Sequence, residues 1–327
     1  MDRPNAKCGG AGHAPHRGRG QGCSRRLFPL LLICAAPVSG QTGIPTISVD
    51  VNVVVLHATV RDRRGRFVCG LREKEFRVFE DGAPQQISFF GYEDVPVAVG
   101  LIVDNSGSMR PKKRNVTAAA LAFIRASNPH DEMFVVNFNE QVSFGLPAGG
   151  PFSDSPAALE VALNRNPPTG KTALYDSIVA GLQHLGRSAL EKKVLIVVSD
   201  GGDNASHHTL GQVLAAAARS NALIYTIGLF DENDMDRNPG VLKKIARASG
   251  GATFLPADPN QVVPVCERIA EEIRHQYTIA YAPADLKLDK TYHTVHVTAC
   301  GPHGSRLLVR VREGYSAAPA GPTETRR

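Results

Sequence analysis

The spacing of apolar residues changes period twice along this chain. From Ile47 onward Val54, Leu56, Ala58 and Val60 alternate with Val53, Val55, His57 and Thr59, the period of a half-buried strand, until Asp62-Arg63-Arg64-Gly65 breaks the run. Phe76 to Phe79 and Ile87 to Phe90 flank Asp81-Gly82, which predicts a hairpin with its loop widened by Pro84. From Val95 the pattern becomes unbroken apolar runs separated by helical faces. Val95 to Val103, Met133 to Phe138, Val194 to Val198 and Ala222 to Leu229 read as strands buried on both faces. Between them, Val116, Ala119, Ala120, Phe123 and Ile124 share a helical face, as do Leu174, Ile178, Leu182 and Leu185. Pro239 opens a further helix that Gly250-Gly251 stops.

After residue 276 the strand period returns at Tyr277, Ile279 and Tyr281, then at Val295 and Val297, then at Leu307, Val309 and Val311, with Cys300 to Ser305 as a turn. The expected fold is α/β, a doubly wound and mainly parallel sheet over residues 95–276, inserted between β segments 41–94 and 277–316. Neither β segment holds enough apolar material for a core of its own, so the two are expected to form one small β-sandwich. Residues 317–327 are expected to be a disordered tail.

In such a sheet ligands bind at the carboxyl ends of the strands, so the polar loops that follow the buried runs carry the candidate chemistry. Asp104-Asn105-Ser106-Gly107-Ser108 places one carboxylate and two hydroxyls on alternate residues directly after the first run. Oxygen ligands of this kind suit a hard divalent cation, with water filling the remaining positions. Asp104, Ser106 and Ser108 match the Asp-x-Ser-x-Ser motif of von Willebrand factor type A (VWFA) domains, the first part of their metal-ion-dependent adhesion site (MIDAS). The other two parts follow in order: Thr172 in Thr172-Ala173-Leu174-Tyr175-Asp176, and Asp200 in Ser199-Asp200-Gly201-Gly202.

Arg61-Asp62-x-x-Gly65-Arg66, Phe76-x-Val78-x-Glu80-Asp81-Gly82-x-Pro84-Gln85, Asp236 to Gly240 and Arg312-Glu313-Gly314-Tyr315 resemble the bacterial family of secreted VWFA-related proteins. The resemblance implies a Rossmann-like von Willebrand type A domain and an exported, non-enzymatic, adhesion-type protein-binding module. Its metal would be Mg²⁺, with Mn²⁺ or Ca²⁺ as substitutes, held by Asp104, Ser106, Ser108, Thr172 and Asp200. A protein partner would add an Asp or Glu carboxylate at the open position. Alternative readings are a structural domain that binds metal for stability only, and a non-catalytic subunit of a larger enzyme complex. Asn105 and the basic run Arg110, Lys112, Lys113 and Arg114 are less typical beside the motif and are expected to form a positive rim for an acidic ligand.

Charge and cysteine content narrow the remaining classes. The formal charge of +6 is concentrated in residues 1–40, which read as an export signal: Arg25-Arg26 precedes a short apolar stretch, Leu27 to Val38, with cleavage placed after Gly40. Ser24 to Phe28 also fits a twin-arginine signal, which leaves the export route open. The rest of the chain is near neutral, so nucleic-acid binding loses its electrostatic basis, and no transmembrane helix is expected in the mature chain. The mature protein, periplasmic, cell-surface or secreted, keeps Cys69, Cys266 and Cys300, too few for a disulfide framework and without zinc spacing. Cys266 shares a helix face with Val262, Val265, Ile269 and Ile273 and is expected to be an inert buried thiol. Gly170-Lys171-Thr172 imitates the end of a nucleotide-binding loop, but Arg165 stands where its first glycine belongs. Asp231 to Asp236 is read as an acidic loop on the metal face, and His207-His208 as solvent-facing.

Overall fold

A computed structural model describes residues 53–230, 237–283, 292–301 and 305–316. Residues 1–40, read as an export signal, residues 231–236, read as an acidic loop, and residues 317–327, read as a tail, lie outside the described residues. In chain order the elements are β1 (Val54–Arg61), β2 (Phe76–Glu80), β3 (Ala83–Gln85), β4 (Ile87–Gly91), β5 (Val97–Asp104), α1 (Lys113–Ala126), β6 (Glu132–Phe138), β7 (Val142–Phe144), α2 (Pro156–Leu163) and α3 (Leu174–Leu185). They continue with β8 (Lys192–Ser199), α4 (Leu210–Arg219), β9 (Ala222–Gly228), α5 (Pro239–Ser249), β10 (Thr253–Phe254), α6 (Val262–Arg274), β11 (Tyr277–Tyr281), β12 (His293–Ala299), β13 (Leu308–Arg310) and β14 (Gly314–Tyr315).

The central sheet is six-stranded in the order β10-β9-β8-β5-β6-β7, parallel except for β7. All eight residues of β5 are buried, because helices cover both faces. One face packs against α1, α2 and α6 through Val116, Phe123, Leu159, Val262 and Ile269. The other packs against α3, α4 and α5 through Leu174, Ile178, Val213, Leu242 and Ile245. Cys266 sits in the first of these layers, buried as expected, and burial pushes its thiol up to about 12.

The flanking segments form two four-stranded sheets, β13-β1-β11-β4 and β14-β12-β2-β3, which share a core of Leu56, Phe76, Val78, Tyr277, Ile279 and Val297. The predicted hairpin is corrected in one respect. Asp81-Gly82 does make a tight two-residue turn, with Asp81 at φ 48 and Gly82 at φ 83, but it joins β2 to β3, with Glu80 opposite Ala83. Ile87 to Gly91 crosses to the other sheet and pairs with β11. Pro84 is tolerated because β3 is an edge strand and needs no second ladder of donors.

The sandwich and the α/β core belong to one compact unit, and a buried polar knot joins them. Glu272 of α6, fully buried, pairs with Arg61 of β1 at 2.6 Å and with Arg310 of β13, and accepts the Tyr225 hydroxyl of β9 at 2.8 Å. Two guanidiniums from the sandwich thus neutralise one carboxylate from the core.

Candidate metal centre

Three loops at the carboxyl edge of the sheet build the site. β5 ends at Asp104, and its parallel pairing with β8 sets Val103 beside Val198, so the Ser199-Asp200 turn leaves the sheet at the same level. Ser108 donates to Asp200 Oδ2 at 2.5 Å, and the Ser106 and Ser108 hydroxyls lie 3.1 Å apart. Asp104 accepts the Ser106 amide at 2.8 Å on Oδ1 and the Ser199 hydroxyl at 2.7 Å on Oδ2, while Asp200 Oδ1 accepts the Gly202 amide at 3.1 Å. The third loop is tied to the first through the backbone: the Gly107 amide donates to Gly170 O at 3.1 Å, and the Thr169 amide to Asn105 O at 2.8 Å. Thr172 is buried at its end, its amide donating to Asn204 Oδ1 at 2.9 Å and its carbonyl accepting from the Asn204 and Ala205 amides.

Asp104, Ser106, Ser108 and Asp200 are therefore one hydrogen-bonded cluster. Thr172 enters through its loop; its hydroxyl makes no hydrogen bond among the described residues. Asp104 and Asp200 are 1% and 2% exposed. Burial, and then the nearby Asp200 charge, push the Asp104 carboxyl up to about 6 against the hydrogen bonds that favour its ionised form. No basic side chain pairs with either carboxylate among the described residues. Two buried carboxylates with hydroxyl neighbours and no organic cation make an oxygen-only donor set, which fits a hard divalent ion and fits zinc poorly. Each carboxylate oxygen keeps acceptor capacity beyond the one bond it makes here. Among the described residues no group of three or more His, Cys, Asp and Glu side chains is placed to hold a metal, so any ion here depends on the hydroxyls as well.

The expected basic rim is corrected. Lys112 is buried and donates to Leu229 O at 3.0 Å. Lys113 also turns inward, donating to Asn105 Oδ1 at 2.6 Å and Leu163 O at 2.8 Å, and burial pulls its ammonium down to about 8. Asn105 then donates to Asn137 Oδ1 at 2.8 Å, and Asn137 to Ala162 O at 2.7 Å. The carbonyls of Ala162 and Leu163 close α2, where a cation is also favoured by the helix dipole. Lys113 and Asn105 therefore clamp the metal loop to the end of α2. Of the basic run, Arg110 and Arg114 are left at the surface, Arg110 reaching Pro168 O at 3.3 Å.

Sequence reasoning missed Ser199, Asn137 and the clamp. A lone Asn inside the buried run Met133 to Phe138 was the available signal. His207 and His208 do face solvent, their side chains 94% and 42% exposed, and the bonds that both make to Asp176 through ring Nδ1 and backbone amide were not foreseen. Burial pushes the Asp176 carboxyl up, but these bonds outweigh it and hold the group well below the usual carboxylate range.

A parallel sheet wrapped by helices thus gathers its strand-end loops around two buried carboxylates, at the edge where open α/β sheets bind ligands. Residues 99–202 match the family model described as von Willebrand factor type A domain, and the protein is a VWFA-domain-containing protein. Such domains are adhesion and interaction modules and are generally not enzymes. A comparison with curated proteins returns no match. Among solved structures, a von Willebrand factor type A protein from Catenulispora acidiphila is 16% identical, covering 81% of this chain and 73% of that one, with a TM-score of 0.48. The vWF domain of the type V pili tip protein Mfa5 from Porphyromonas gingivalis is 15% identical over 55% of this chain and 95% of that one, TM-score 0.43. BatB from Bacteroides thetaiotaomicron is 17% identical over 54% and 97%, TM-score 0.44. At these identities and TM-scores the likeness extends to no ligand or partner.

Proposed function

We propose that the chain is an exported protein-binding module whose Asp104, Ser106, Ser108, Thr172 and Asp200 hold Mg²⁺, directly or through water, with one position left for an Asp or Glu carboxylate of a partner. The observation that carries this reading is the pair of buried carboxylates, Asp104 and Asp200, linked through Ser106 and Ser108 and without a basic partner among the described residues. Two like charges out of water call for a positive counter-charge. A bound Mg²⁺ would supply that charge and a Lewis-acidic position for an incoming carboxylate. The chain's own part is to fix the oxygens: Ser199 and the Ser106 amide orient Asp104, the Gly202 amide orients Asp200, and the Lys113–Asn105 clamp holds the loop between them.

The surface location is part of the same proposal. Among the described residues no helix is long and apolar enough to cross a membrane. The test is capture from an envelope extract by the immobilised protein, in Mg²⁺ and in chelator, with Asp104→Ala as control. Capture that needs both the metal and Asp104 supports the reading, whereas capture indifferent to chelation contradicts it. A metal bound for stability alone would give calorimetric Mg²⁺ binding with no metal-dependent capture.

A further inference from the structure

Away from the strand-end loops, β7 and the following segment enclose a cavity of about 410 Å³ together with the end of α3, within the range of small-ligand sites. Its wall is aromatic. The His184 ring stacks on Phe144 with centroids 4.7 Å apart and lies 4.3 Å from Phe134, and Phe144 is 38% exposed, an uncovered ring on an edge strand. Pro151 O accepts from His184 Nε2 at 2.7 Å, which fixes the ring plane and puts the proton on that nitrogen. Leu146 and Pro147 complete the apolar side.

Its charge is one-sided. Among the described residues Arg165 and Arg187 line the cavity, and no carboxylate does. Arg165 spends its guanidinium on two neutral carbonyls, Gly145 O at 3.2 Å and Phe144 O at 3.5 Å, so its charge is uncompensated. The Arg187 guanidinium makes no ion pair or hydrogen bond among the described residues; burial first, and the Arg187 charge to a smaller extent, disfavour a charged imidazole at His184. Guanidinium groups beside the exposed ring of Phe144 match one ligand chemistry: a flat apolar body to stack and an oxyanion to meet a guanidinium fork. The like charges of Arg165 and Arg187 also gain most from an anion between them.

We propose that this cavity is a binding site for a small planar aryl or heteroaryl carboxylate, stacked on the exposed face of Phe144, which His184 backs, with its carboxylate on Arg187. The site stands apart from the metal loops and does not depend on them.

The probe is 2-naphthoate, with 2-naphthamide as its neutral counterpart, titrated into the isotope-labelled full-length protein and followed by NMR. Naphthoate should give saturable shifts confined to Phe144, Gly145, Leu146, Gly150 and His184, unchanged by chelator. The amide should bind about tenfold more weakly or worse, because it lacks the charge-assisted bond. Arg187→Gln, a substitution at an exposed side chain, should bring naphthoate down to the affinity of the amide while leaving the melting temperature alone. Absence of saturable shifts, equal affinity for acid and amide, or full affinity in Arg187→Gln would each overturn the proposal. Phe144→Leu keeps an apolar side chain on the strand and should weaken both probes together; unchanged affinity there would remove the stacking contact from it.

Discussion

Lys113 of α1 and Asn105 of the β5 loop are joined by a 2.6 Å hydrogen bond inside the protein, so a cation that would be expected to serve ligand capture serves loop geometry instead. Its second bond, to Leu163 O, fixes the ammonium against the end of α2. Lys113→Met removes both bonds and leaves Asn105 Oδ1 and Leu163 O without that donor, at a cost of roughly 1–3 kcal/mol. The expected result is faster amide exchange at 105–108 and several-fold weaker Mg²⁺ binding, with the cooperative melt retained. Neutralising the surface residues Arg110 and Arg114 should leave Mg²⁺ affinity unchanged. Equal exchange rates in Lys113→Met and the parent would show that the clamp does not hold the loop.

Glu272 gives a second, context-dependent test. In the whole protein Glu272→Gln leaves Arg61 and Arg310 without their carboxylate and should destabilise by about 3–5 kcal/mol. In residues 95–276 alone the guanidiniums are missing and the sandwich no longer covers Glu272, so the same substitution should move the melting temperature little. Thermal melts of the four proteins decide the matter, and destabilisation in both contexts would show that the knot is not what joins sandwich and core.

Stability should also depend on alkaline pH through Lys192. This side chain is 3% exposed and donates to Ile273 O at the end of α6, and burial pulls its ammonium down to about 8 against the opposing charges of Asp94 and Asp131. The unfolded chain keeps the proton to about pH 10.4 and the native state releases it near 8, so the unfolded state binds more protons in that window. Stability therefore rises with pH between those values and is flat below them as far as Lys192 is concerned. Comparing melts of parent and Lys192→Met from pH 7 to 10 should show the parent gaining roughly 1–3 kcal/mol relative to the variant. Parallel curves would contradict it.

What could be read from the sequence was what local pattern encodes. The strands of the central sheet are continuous apolar runs, and Asp104, Ser106 and Ser108 sit on alternate residues of one loop, so both were legible. The Asp200 loop was legible through its position after a predicted strand, and the Thr172 loop through its position before a predicted helix. Contacts set by register or by helix phase were not. Asn137 reaches Asn105 because β6 pairs with β5 at Val103, and Ser199 reaches Asp104 because β8 does so on the other side. Lys112 and Lys113 look like a solvated helix start in one dimension, and turn inward because Leu229 and Leu163, distant in sequence, present free carbonyls there. The hairpin was misassigned for a related reason. Asp81-Gly82 specifies a turn, but it cannot say that the chain leaves the sheet after Gln85 and crosses the sandwich.

The Asp104–Asp200 pair carries the functional reading, and calorimetric titration of Mg²⁺ into the metal-stripped full-length protein at neutral pH tests it most directly. The account predicts one saturable Mg²⁺ site per chain, lost in Asp104→Ala and in Asp200→Asn while both variants still melt cooperatively. No saturable heat in the parent, or an affinity unchanged by either substitution, would contradict it.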